Sequence, residues 1–176
     1  QPFGPPWDAP RAVFAPCAAA ALYRRAAFLE VGGFDEAFFC YFEDVDLAFR
    51  LGLRGRRFMY IPQARVRHIG SASHGQASDF ARYHGHRNLV WTFVKNMPAC
   101  LLWRYLPGHI LFNVLSLILF TLIGQPGALW RAKWHALKAL PRVLRERRAL
   151  QARRTAPAAD LDQLMVHGLW GLIRRH

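Results

Sequence analysis

The chain has 176 residues, 53% of them hydrophobic and 20% charged, and a formal net charge of +13. That length holds one domain, or one domain with an appendage, and that apolar fraction excludes a wholly disordered chain. Cys17, Cys40 and Cys100 stand far apart with no C-x-x-C pair, which argues against a disulfide scaffold and a cysteine-built zinc or redox site.

In chain order, Val13 to Tyr23 is small and apolar and reads as a buried strand or a helix, with Pro16 arguing against an uninterrupted central strand. Arg24 to Val31 reads as a short helix stopped by Gly32 and Gly33. Phe34 to Phe42 is an aromatic-rich loop. Glu43 begins a second helix, with Val45, Ala48, Phe49 and Gly52 on one face, Arg50, Arg54 and Arg57 on another, and Gly55 as its stop. Phe58 to Pro62 reads as a strand ended by proline, and the alternation over Ala64 to Ile69 predicts an exposed or edge strand. A glycine, serine and histidine loop, Gly70 to Ser78, leads to a helix over Phe80 to Asn96, after which Pro98 and Pro107 punctuate the chain.

Ile110 to Ile123 carries no charge, and a full membrane span needs roughly 20 such residues. Trp91, Trp103, Tyr105, Trp130 and Trp134 bracket the run as interfacial aromatics do, and both flanks are basic. Basic residues on both sides favour a helix lying in, or dipping into, the cytoplasmic leaflet, with a buried helix and a full span as the alternatives. Residues 131–154 read as an arginine-rich amphipathic helix or solvated coil, broken over Thr155 to Asp160. Leu161 to Ile173 reads as one more short amphipathic helix.

Charge is unevenly placed: eight of the eleven acidic residues lie in the first 80 positions, and none lies between Asp79 and Glu146. An acidic partner, nucleic acid or anionic lipid, would suit the second half. A basic nucleic-acid-binding module is disfavoured by the continuous apolar run and by a cluster of five carboxylates, Asp35, Glu36, Glu43, Asp44 and Asp46, which would repel phosphates. Two glycines precede that cluster and aromatics interleave it, which suits a pocket that stacks on a sugar or other flat ligand. Glu43 and Asp44 at a helix start would be held ionised, and an ionised carboxylate at a pocket edge can act as a general base. Ordinary helix capping accounts for the same residues equally well.

These residues also carry a resemblance. Ala20-Ala21-Leu22-Tyr23-Arg24-Arg25, then Val31-Gly32-Gly33-Phe34-Asp35-Glu36, then Tyr41-Phe42-Glu43-Asp44-Val45-Asp46-Leu47-Ala48-Phe49-Arg50-Leu51 are followed by Gly55-Arg56-Arg57-Phe58-Met59-Tyr60-Ile61-Pro62, Ala64-Arg65-Val66-Arg67-His68 and Tyr83-His84-Gly85-His86-Arg87-Asn88-Leu89. In that order and spacing, over about residues 12 to 98, they resemble the acceptor-side half of bacterial family 2 glycosyltransferases, rhamnosyltransferase-like branch. The resemblance implies an α/β fold, the C-terminal half of a GT-A nucleotide-sugar transferase, and the apolar run with its basic flanks adds a helical membrane-associating tail. The implied division is a partial transferase lobe over 1–97, an apolar membrane-associated segment over 98–130 and a basic tail over 131–176.

The family moves a sugar from a nucleotide diphosphate donor to an acceptor hydroxyl, usually with inversion. By resemblance Asp44 is the expected base and Glu43 its positioning partner. Gly33, Phe34 and Asp46 belong to the acceptor side, with Asp46 also expected to hold the loop. The resemblance makes His68 an expected metal or diphosphate ligand, with a structural histidine at a strand end as the alternative, and Arg87 an expected phosphate or lipid contact, with a surface helix charge as the alternative. The acceptor expected is a polyprenyl-linked glycan at the cytoplasmic face of the inner membrane, with the protein peripheral or re-entrant there. The family's donor half carries an Asp-x-Asp motif that holds Mg²⁺ or Mn²⁺ on the diphosphate. Asp44-Val45-Asp46 and Asp160-Leu161-Asp162 share its spelling but not its context. The chain is therefore expected to be a piece of a longer enzyme, inactive by itself, and a non-catalytic membrane adaptor is the alternative.

Overall fold

The computed structural model describes residues 8–67 and 78–165. Its elements are β1 (Arg11–Val13), α1 (Arg25–Glu30), α2 (Glu43–Leu53), β2 (Phe58–Tyr60), α3 (Asp79–Asn96), α4 (Ala99–Leu122), α5 (Gly127–Lys138), α6 (Leu140–Ala152) and α7 (Ala158–Leu164), with single 3₁₀ turns at Ala18–Ala20 and Glu36–Phe38. The expected α/β lobe is thus mostly helical. Its described sheet is one antiparallel pair, with Arg11 opposite Tyr60, Ala12 opposite Met59 and Val13 opposite Phe58.

Helix boundaries follow local chemistry. Gly32 and Gly33 end α1 with φ of +82° and +69°, and Gly55 ends α2 with φ of +76°. The Ser78 hydroxyl accepts from the Ala81 amide and starts α3. Pro98 precedes α4, but α4 runs through Pro107 instead of breaking there. The ring removes one helical hydrogen bond, to the Trp103 carbonyl, which a long apolar helix tolerates. Pro16 does keep the first apolar run from forming one strand: β1 stops at Val13, and Ala18–Ala20 is an exposed turn. Ala64–Arg67 is outside any strand, and the rest of that expected strand lies outside the described residues.

Helix α3 is the centre of the fold. On one side Phe93 and Met97 join Phe49 and Leu53 of α2, Leu101 of α4 and Leu161 of α7. On the other, Trp91 joins Phe38, Ala136 of α5 and Val143 of α6. Ala132 and Ala136 let α5 approach α3 closely. Complete burial of Leu53 and Leu129 stabilises the fold by roughly 1.5–3 kcal/mol each.

The arginine-rich stretch forms two helices packed onto this core, not a solvated coil. Arg147 of α6 donates to the Val94 and Met97 carbonyls at 2.8 and 2.5 Å, and Gln151 to the Asn96 carbonyl at 2.9 Å, so α6 caps the end of α3. The Thr155 and Ala156 amides both donate to the Leu53 carbonyl, closing the end of α2.

Helix α4 is inverted in polarity. His109, Asn113 and Ser116 lie on the half-buried stripe towards the body, where His109 stacks on Phe93 at 4.0 Å. Ile110, Leu111, Phe112, Val114, Leu115, Ile118, Leu119 and Leu122 are exposed. At 24 residues α4 is long and apolar enough to cross a membrane.

Candidate functional site: a carboxylate turn splinted by one helix

The five carboxylates separate into two groups. Asp46 is completely buried. One of its oxygens accepts from Arg50 Nε at 2.7 Å, and the other from Asn96 Nδ2 at 2.8 Å and Lys95 Nζ at 2.9 Å. Lys95 also meets Asp35 at 2.6 Å, and Arg50 donates onward to the Val31 carbonyl at 2.7 Å. Asp46 therefore presents no atom to an acceptor, and of its two expected roles the geometry supports the internal one. Arg50, placed by sequence on a face apart from the apolar one, is buried, with Asp46 one turn before it as its partner. Burial pushes the Asp35 carboxyl up, but the Lys95 ammonium, with the Ala37 amide and Arg142, outweighs it and leaves the group below its usual range.

Glu43 and Asp44 occupy the first turn of α2 and are only half-buried. Asp44 accepts from the Val45 amide at 2.8 Å and, across the fold, from the Ala18 amide at 3.1 Å. Those two N–H groups hold its carboxylate in one orientation. Glu43 is different: one of its oxygens is buried with no hydrogen-bond partner among the described residues. Burial, and then the neighbouring Asp44, push its carboxyl above the usual range, against its own backbone amide. Two adjacent carboxyls thus sit in unequal environments, an arrangement used for acid–base chemistry.

Tyr23 belongs to the same site and is missed by sequence reasoning. Its hydroxyl is buried without a hydrogen-bond partner among the described residues, and burial, then Asp44, Cys17 and Glu43, raise its pKa. Its ring meets Phe28, Phe34 and Phe58. Gly33 makes this cluster possible, since a Cβ there would come within 2.9 Å of the Phe28 ring. Phe34 packs edge-on to Phe28 at 5.4 Å and remains 39% exposed. Beside the carboxylates, exposed Phe39 and Tyr41 gather around Phe80 and His84, giving an aromatic surface of the kind expected for a sugar ring.

Arg87, expected at a phosphate, has its Nε and Nη2 turned inward. They donate to Asn88 Oδ1 at 2.9 Å and to the Ala37 and Phe38 carbonyls at 3.1 and 3.0 Å, while the guanidinium lies over Trp91 at 4.3 Å. His68 lies outside the described residues. A divalent cation does not fit Asp44-Val45-Asp46, because Lys95 and Arg50 already supply the positive charge at Asp46. Among the described residues no group of three metal-ligating side chains converges elsewhere.

The chain is similar over short stretches to two kinds of curated protein. It is 51% identical over 65 residues to N-acetylglucosaminyl-diphospho-decaprenol L-rhamnosyltransferase of Mycobacterium tuberculosis, a match covering 36% of this chain and 21% of that protein. It is 41% identical over 61 residues to Rhamnosyltransferase WbbL of Escherichia coli, covering 35% of this chain and 22% of that protein. The match thus spans about a fifth of the length of these relatives. No family model matches the chain, and no solved structure matches it.

Proposed function

We propose that the chain carries the base-bearing, acceptor-side part of an inverting glycosyltransferase of family 2 and GT-A type. The observation that carries this is the unequal Glu43–Asp44 pair at the start of α2, braced from α3, in a chain locally similar to rhamnosyltransferases. Asp44 takes the proton of an acceptor hydroxyl as that oxygen attacks the anomeric carbon of the donor sugar. The bond from that carbon to the nucleotide diphosphate breaks, and its electron pair leaves with the diphosphate. The Ala18 and Val45 amides keep Asp44 oriented towards the acceptor. Glu43 fixes the acceptor or Asp44, and Phe39 and Tyr41 stack on the sugar. On this reading a separate donor-binding part holds the nucleotide, with Mg²⁺ or Mn²⁺ to neutralise the diphosphate.

The acceptor on this reading is a polyprenyl-diphosphate-linked glycan, and the working place is the cytoplasmic leaflet. Supporting it are the outward apolar face of α4 and the exposed Trp130, Trp134 and Leu137 of α5, set among Arg131 and Lys138. Aromatic and basic residues in that mixture suit a lipid–water boundary. The test is a transfer assay on the whole encoded protein in lipid, supplied with nucleotide-diphospho-L-rhamnose and a polyprenyl-diphospho-N-acetylglucosamine. Labelled sugar appearing in the lipid fraction, dependent on both substrates, supports the proposal. Absence of transfer from a panel of nucleotide sugars would reject it.

A further inference from the structure

The segment entering α2 holds an unusual backbone. Phe39, Tyr41 and Phe42 have φ of +63°, +65° and +66°, a region that side chains other than glycine seldom occupy. None of the three is glycine, asparagine or aspartate, so no residue preference favours the conformation, although the Cys40 amide donates to the Phe38 carbonyl at 2.8 Å and closes a strained turn about Phe39. It persists because something else over-determines it.

That something is Asn88, which is completely buried in α3. Its Nδ2 group donates to the carbonyls of Phe38 at 2.9 Å, Cys40 at 2.8 Å and Tyr41 at 2.7 Å. Two hydrogens are shared among three carbonyls, so the amide reads this one backbone curve. Arg87 fixes which way the amide faces, since its Nε donates to Asn88 Oδ1 at 2.9 Å. Without Asn88 the part-buried Cys40 and Tyr41 carbonyls would lose this donor, while the Phe38 carbonyl would keep Arg87 Nη2 and the Cys40 amide. The curve drives Phe38 into the core beneath Trp91, where the rings meet at 5.9 Å, and returns the chain so that Glu43 and Asp44 open α2. Lys95 and Asn96, two turns further along α3, hold Asp46. The carboxylate turn is thus bridged from one helix on both sides.

We infer that Asn88 is a positioning residue for the transfer reaction. It acts through the backbone of residues 38–42 to place Asp44 against the acceptor hydroxyl, and this assignment rests on the reading of Asp44 as the base. A reaction held at the right distance loses up to about a hundredfold for a displacement near 1 Å.

The test uses the whole protein and three variants, Asn88→Ala, Asp44→Asn and their double. In Asn88→Ala, amides of residues 36–46 should exchange with deuterium at least about tenfold faster, with those of α5 and α6 unchanged. Its kcat should fall about 10- to 100-fold with KM within about threefold. The double variant should be no slower than Asp44→Asn alone, because both changes act through one group. Should Asn88→Ala fail to fold, Asn88→Ser, which keeps one donor, is judged by the same criteria. A folded Asn88 variant with wild-type kcat beside an inactive Asp44→Asn removes this assignment alone, as do losses that multiply in the double variant. Wild-type kcat in Asp44→Asn removes the base and this assignment together, whatever the exchange pattern shows.

Discussion

Replacing Lys95 by methionine keeps the buried stem and removes the ammonium shared by Asp35 and Asp46. Lys95 lies 2.6 Å from one carboxylate and 2.9 Å from the other, and its side chain is 7% exposed. Removing one member of a buried ion pair costs about 3–5 kcal/mol, because the partner's charge stays behind. Here Arg50 and Asn96 still satisfy Asp46, and the Ala37 amide still satisfies Asp35, so the lower end, about 3 kcal/mol, is the expected cost. A urea denaturation series followed by circular dichroism reads it. With a slope of about 1–3 kcal/mol per molar, the midpoint should fall by about 1–3 M. Acid sensitivity should change as well. The Asp35 carboxyl is held below its usual range in the folded protein, so its stabilisation is full above the unfolded pKa near 3.8 and disappears as pH drops through the folded value. Lys95→Met should flatten that part of the acid limb. An unchanged midpoint, or an acid limb as steep as in the wild type, would refute the idea that Lys95 bridges the carboxylate turn to α3.

Other consequences reach different parts of the fold. Gly33→Ala puts a Cβ against the Phe28 ring at a φ of +69° and should lower stability by about 1–2 kcal/mol in the same urea series. Leu115→Arg with Ile118→Arg changes two exposed positions of α4, so the unfolding midpoint should hold while vesicle flotation weakens. At about 2.5 kcal/mol for one charge in the apolar layer, binding should drop roughly 50-fold or more. Burial lowers the Lys133 ammonium to about 8, so the folded chain binds fewer protons there than the unfolded one, and stability should climb as pH rises from about 8 towards 10.5. Lys133→Met should remove that rise, measured as unfolding midpoint against pH.

Much of the fold was legible where the signal was local. The helix beginning at Glu43 and stopping at Gly55, the helix running to Asn96, and the strand at Phe58 all follow from neighbours in sequence. Long-range pairing was not legible. Arg50 reads like Arg54 and Arg57, as one more basic residue off the apolar face, until Asp46 and Val31 are seen to claim it. Asn88 and Lys95 meet partners 47 to 60 residues away, so no spacing rule marks them. Pro107 carries a strong breaking signal, but the apolar context and the flanking turns kept α4 continuous. In the site, Asp44 and Glu43 stand out as a helix-start pair, whereas Tyr23, about 20 residues earlier, is brought within reach of their charge by the fold, with its ring held against Phe28.

The most direct test of the account is the Asp44→Asn variant of the whole protein, assayed in lipid for sugar transfer at saturating donor and acceptor. The substitution keeps the size of the side chain and leaves one oxygen for the Ala18 amide, giving up the half-buried contact to the Val45 amide, so folding and lipid binding should be preserved with a small loss of stability. Loss of the base should lower kcat by about 10²- to 10⁴-fold. A folded, lipid-bound Asp44→Asn protein that transfers sugar at the wild-type rate would contradict it.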